Sequence, residues 1–115
     1  MKLFPRLALP FVLGVAILSV AWVSFAAGKQ SEGATTFREK CSMCHGIDGK
    51  GYAAIKTPNF TDPKWQAAHS DKELIDAIEN GVKGTAMLSF RGKLTQAQIE
   101  AVLKYIRSLG AKTNK

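Results

Sequence analysis

Apolar residues follow two rhythms along this chain. From Leu7 to Ala27 they run for 21 residues without a charge; beyond Lys29 they return at helical spacing, in blocks separated by glycine-rich stretches. In "SDKELIDAIENG" Ser70 stands three residues ahead of Glu73, the spacing at which the two side chains cap each other's backbone N–H groups. Leu74, Ile75 and Ile78 then share one face and Asn80-Gly81 ends the pattern, which predicts a helix of about ten residues. "TQAQIEAVLKYIRSLG" repeats the design, with Thr95 and Gln98 as the cap, Ile99, Val102, Leu103 and Ile106 as the buried stripe, and Gly110 as the expected terminator. Gly33, Phe37 and Cys41 follow one another at four-residue intervals, so they line one face of a third helix that ends at the cysteine.

Between these blocks, Gly46 to Pro63 is rich in Gly, Asp, Asn, Thr and Pro and predicts a long ordered loop, broken at most by one helical turn. No segment past residue 27 alternates polar and apolar positions long enough for a strand. The expectation is an all-α domain over residues 33–115, preceded by a linker over 27–32, with three main helices and much loop. So few helices leave a core short of material, and a large apolar ligand supplies what the chain lacks.

The uncharged run follows Lys2 and Arg6, and Ser24-Phe25-Ala26 offers small residues ahead of a cut. Residues 1–26 therefore read as a signal peptide. The apolar stretch also exceeds a usual signal core and is long enough to cross a bilayer of about 30 Å, so an uncleaved anchor is the alternative. Either way the remainder is exported to the periplasm or its equivalent. Without Lys2 and Arg6, the 16 basic residues of the chain fall to 14 against 9 acidic ones. That excess, mostly scattered lysine, suits acidic partner surfaces, and it lacks the dense basic stripe with interleaved aromatics that nucleic-acid binding requires.

The chain's two cysteines fall in "CSMCH", Cys41 to His45. This is the CxxCH pattern of covalent haem attachment. Thiols at i and i+3 project to one side of a turn, where each adds its S–H across a porphyrin vinyl group to form a thioether, and the next residue, His45, brings a ring nitrogen to the iron. A thioredoxin-like dithiol expects a preceding strand, which the sequence does not show. A zinc site would have to draw on Cys41, Cys44, His45 and His69, two of them adjacent. A disulfide across CxxC closes too small a loop to gain much entropy.

The opposite iron face needs a second ligand. Met87 lies in "NGVKGTAMLSF", a glycine-bearing loop between the two capped helices, and a thioether there is poorly placed to serve as helix core. Met43 sits between the anchoring cysteines and cannot reach the far face, and His69, beside the Ser70 cap, is the competitor. A thioether ligand favours ferrous iron and fills the position that oxygen or peroxide would take, which argues for electron transfer over catalysis.

"CSMCHG", "NGVKGTAMLSF" and "AVLKYIRSL" together resemble the small single-haem class I cytochromes c, over about Gly33 to Leu109. The resemblance implies one haem c, held through Cys41 and Cys44 and ligated by His45 and Met87. It implies a helix crossing of Gly33 and Phe37 against Val102 and Tyr105, and a Pro58 carbonyl that accepts the ring proton of His45. Trp65 is placed either to donate to a haem propionate or to cover the core. The family commonly has proline after the ligating methionine, where this chain has Leu88. The implied activity is one-electron shuttling by a monomeric carrier that transforms no substrate, with Lys40, Lys50, Lys56, Lys83 and Lys93 bordering the haem edge. An electron-entry subunit of a larger membrane oxidoreductase is the alternative, and a sensor or peroxidase follows if Met87 leaves the iron open.

Overall fold

The computed structural model describes residue 28 and residues 32–112. Residues 1–26, read above as a signal peptide or anchor, and most of the 27–32 linker lie outside the described residues. Helix α1 covers residues 32–40; α2 is the single turn Ser42–His45, followed by a 3-10 turn at Ala53–Ile55. Helix α3 is Pro63–Ala68, α4 is Asp71–Asn80 and α5 is Gln96–Ala111. The only sheet-like pairing among the described residues is an isolated bridge between Arg91 and Leu94.

Both capping boxes form. The Ser70 hydroxyl accepts from the Glu73 N–H at 3.2 Å while the Ser70 N–H donates to the Glu73 carboxylate at 2.7 Å. Thr95 and Gln98 make the same reciprocal pair at 3.2 and 2.9 Å. Each box satisfies N–H groups that the first helical turn leaves without partners.

Helix α5 departs from its expected end. Gly110 is a buried residue inside the helix, and a Cβ there would lie 2.5 Å from Cγ of Gln66. Its small size serves close packing against α3 rather than termination. Helix α3 itself was not expected, although its start is marked: the Asp62 carboxylate accepts from the Lys64 N–H at 2.9 Å and Pro63 fills the first helical position.

Helices α1 and α5 meet at Gly33, where a Cβ would fall 2.1 Å from the Ala101 carbonyl oxygen and 3.2 Å from Cβ of Tyr105. The close approach at Gly33 is thus to the Ala101 carbonyl and to Tyr105 of α5. One turn on, the Phe37 and Tyr105 rings lie 5.2 Å apart. Phe37 and Val102 are the largest fully buried side chains of the core. Around them α4 contributes Leu74 and Ile78, and α5 adds Ile99, Leu103, Ile106 and Leu109. Burial of each such side chain stabilises the fold by about 1.5–3 kcal/mol.

Arg107 ties α5 to the α3–α4 junction. Its guanidinium donates to the Gln66 carbonyl and side-chain oxygens, to the His69 carbonyl and to the Asp71 carboxylate, at 2.6–2.9 Å. Carbonyls left open at the end of α3 are thereby satisfied. Among the described residues, no helix is long and apolar enough to cross a membrane.

Candidate haem-binding site

The backbone carries α1 straight into the cysteine cluster. The Cys41 N–H donates to the Phe37 carbonyl at 2.9 Å, and the Cys41 carbonyl accepts from the His45 N–H at 3.0 Å. Cys41, Cys44 and His45 thus sit on one continuous helical turn. Cys41 is half-buried and packs against the core, Cys44 is exposed, and both thiols are free. Burial pushes the Cys41 thiol up to about 11, so it stays neutral near pH 7. Burial also holds the His45 imidazole below its ordinary value, favouring the neutral ring whose lone pair can ligate a metal.

The loop after His45 closes back on it, with the Gly51 N–H donating to the His45 carbonyl at 2.8 Å. The imidazole stacks on Phe60, ring centroids 4.8 Å apart and planes 19° from parallel. Its Nδ1 is buried and has no hydrogen-bond partner in the polypeptide. The bond expected from His45 to the Pro58 carbonyl is therefore not made. That carbonyl lies against Gly51, where a Cβ would meet it at 2.5 Å.

Met87 is placed by a second loop, folded back onto the end of α4. The Ser89 hydroxyl and the Arg91 N–H donate to the Glu79 carbonyl at 2.5 and 3.1 Å, and the Phe90 N–H donates to the Ile78 carbonyl at 3.0 Å. Within the loop, the Val82 N–H donates to the Met87 carbonyl at 3.1 Å and the Met87 N–H to the Thr85 hydroxyl at 3.2 Å. Gly81 makes this fold possible: its φ of 73° suits glycine, and a Cβ would sit 2.7 Å from the Met87 carbonyl oxygen. These bonds order the loop without the family's proline. The Met87 side chain is half-buried against the core, while Leu88 is 70% exposed. Met87 and Leu88 also line an open cavity of about 540 Å³, with Gly81, Val82, Thr85 and Ser89.

His69 is engaged elsewhere. Its Nδ1 lies 2.9 Å from the Trp65 carbonyl and its ring stacks on the Trp65 indole at 4.4 Å. Trp65 in turn packs on Phe60 at 5.0 Å, in the core-covering role. Phe60 and Arg107 are the residues that sequence reasoning missed. Phe60 has only its place in the loop "KTPNF" as a signal, and the Arg107 partners lie 36 to 41 positions away.

The residues present fit a c-type haem. Two free thiols on one turn supply the anchors, a neutral imidazole with an unpartnered buried nitrogen follows, and a thioether waits at the core's edge on an ordered loop. No group of three or more His, Cys, Asp or Glu side chains gathers among the described residues, so the zinc alternative has no ligand set. Fold and site define an all-α cytochrome c domain.

Residues 28–106 match the family described as cytochrome c oxidase, cbb3-type, subunit III, and the chain belongs to that family. It is similar to the cbb3-type cytochrome c oxidase subunit CcoP of Cereibacter sphaeroides, 31% identical over 94 residues, which is 82% of this chain and 32% of that protein. Similarity to the subunit FixP of Bradyrhizobium diazoefficiens is 36% over 80 residues, 70% of this chain and 27% of that one. The chain thus spans about a third or less of the length of these relatives. Among solved structures, the c-type cytochrome KustC0563 superposes with a TM-score of 0.62 at 30% identity, covering 67% of this chain and 95% of that one. Cytochrome cL of Methylophaga aminisulfidivorans gives 0.61 at 20% identity over 87% and 72% of the two chains, a likeness of fold alone.

Proposed function

We propose that this chain is the haem-c electron-entry module of a larger membrane oxidase, exported to the periplasmic side. The observation that carries this is the match to an oxidase-subunit family across the whole segment holding the site. It favours the tethered setting over the freely diffusing carrier that the sequence first suggests. Bound haem supplies a one-electron ferric/ferrous couple. Cys41 and Cys44 would hold it through their thiols, His45 and Met87 would supply a nitrogen and a sulfur ligand, and the buried Phe37 and Phe60 would keep water from that side of the site. Lys40, Lys50, Lys56, Lys83 and Lys93 are all exposed, free to steer a monomeric domain onto acidic surfaces of its redox partners. The module transfers electrons and transforms no substrate of its own.

The free-carrier reading keeps one supporting observation, the close coverage of KustC0563, a c-type cytochrome hardly longer than the matched region. Fractionation of the source organism separates the two. The tagged full-length chain is expected in salt-washed membranes, co-purifying with oxidase activity after detergent extraction. Recovery from the soluble periplasmic extract, without residues 1–26, would contradict the tethered reading.

A further inference from the structure

Helix α4 ends at Asn80, and the carbonyls of its last turn have no partners within the helix. The chain leaves at Gly81, makes the Met87 loop and returns along the same helix end. On the return, the Phe90 N–H donates to the Ile78 carbonyl at 3.0 Å and the Arg91 N–H to the Glu79 carbonyl at 3.1 Å. Any residues but proline could supply these backbone bonds. One side chain joins them. The Ser89 hydroxyl donates to the Glu79 carbonyl at 2.5 Å and accepts from the Arg91 N–H at 3.2 Å.

We propose that Ser89 is a positioning residue for Met87, a latch that holds the loop closed and so keeps the methionine side of the site shut to exogenous ligands. The residues that flank Met87 in sequence, Val82 to Ala86 and Leu88, are exposed, so burial does little to hold them. Ser89 is the first half-buried residue beyond Met87, and its bond to Glu79 is partly buried, where a lost partner costs more than it does in water. At Gly81 a Cβ would lie 2.7 Å from the Met87 carbonyl oxygen, 2.9 Å from the Ser89 nitrogen and 3.0 Å from the Leu88 carbonyl carbon. Residues 87–89 thus lie flat against Gly81, and the hydroxyl two positions beyond Met87 pins them there. When Met87 gives way to another ligand, this segment lifts from Gly81 and the Ser89–Glu79 bond breaks with it.

This inference rests on the haem reading above, in which Met87 ligates the iron. Imidazole added to the haem-loaded ferric protein competes with Met87, and the weak far-red sulfur-to-iron band reports the displacement. Opening is easier when the bond it must break is already gone, so Ser89→Ala is expected to bind imidazole about tenfold more tightly than wild type. Ser89→Thr, which keeps the hydroxyl, is expected to restore the wild-type affinity. Arg107→Ala loosens the opposite end of α4 and is expected to leave imidazole affinity unchanged, which separates a latch from general destabilisation. A Ser89→Ala affinity equal to wild type, or matched by Arg107→Ala, overturns the latch and leaves Met87 ligation standing. A wild-type protein without the sulfur band overturns both. If Ser89→Ala fails to fold, wild type is followed by amide hydrogen exchange: faster exchange at Phe90 and Arg91 with imidazole bound supports the latch, and unchanged exchange overturns it.

Discussion

Helix α5 buries seven of its sixteen residues, whereas the loop over residues 81–93, with Met87 near its middle, fully buries none. The contrast extends to apolar side chains. Every large hydrophobic residue exposed among the described ones, Met43, Ile47, Tyr52, Ile55, Val82 and Leu88, lies in the two segments that carry the cysteine–histidine cluster and the methionine. The helical frame spends its apolar residues on its own core. The loops are held by backbone hydrogen bonds and turn geometry, which leaves their apolar groups available to a prosthetic group or a docking partner. The same chain therefore stabilises its scaffold through burial and its functional rim through polar contacts.

Truncating the frame has the largest expected effect. Phe37→Ala removes a fully buried ring at the α1–α5 crossing and is expected to cost about 4 kcal/mol, measured by denaturant unfolding of the haem-loaded protein. Arg107→Ala comes next, at about 2 kcal/mol, because it leaves half-buried carbonyls at the end of α3 without a donor. Asp71→Ala, which breaks only the exposed side of that network, is expected to stay below about 1 kcal/mol. If the two cost the same, the ion pair to α4 rather than the carbonyl contacts at the end of α3 holds α5 at that junction.

The loops should answer differently. Leu88→Ser is expected to change stability by less than about 0.5 kcal/mol while slowing electron exchange with a partner in stopped-flow measurements. A large loss of stability would erase the distinction between frame and rim.

The smallest effect is one of pH. Hydrogen bonds from the Ser70 backbone and side chain hold the Glu73 carboxyl below its ordinary value. A carboxylate lowered in the folded state contributes fully above its unfolded value and loses that contribution as pH falls through the folded one. Unfolding followed from neutral to acid pH should therefore show Glu73→Gln converging on wild type below the carboxylate range.

Local patterns were legible in the sequence, and long-range ones were not. Ser70–Glu73, Thr95–Gln98 and the Cys41–His45 turn depend on residues within four positions of each other, and each forms as spacing predicts. Gly110 misled because glycine both ends helices and admits a neighbour, and only the Gln66 side chain above it shows which applies. Phe60 and Arg107 act across the fold, on partners no local periodicity reveals. Helix α3 carried a readable Asp62-Pro63 start, yet six residues are too few to establish a periodic face.

The central claim, a covalent haem ligated by His45 and Met87, is tested most directly by the visible spectrum of the protein exported from a haem-attaching host, with Met87→Ala alongside. The account predicts haem that survives acid extraction, low-spin spectra in both oxidation states, and a weak far-red sulfur-to-ferric-iron band that Met87→Ala abolishes. Low-spin haem lacking that band in wild type would remove Met87 from the iron, and a protein that retains no haem would contradict the account altogether.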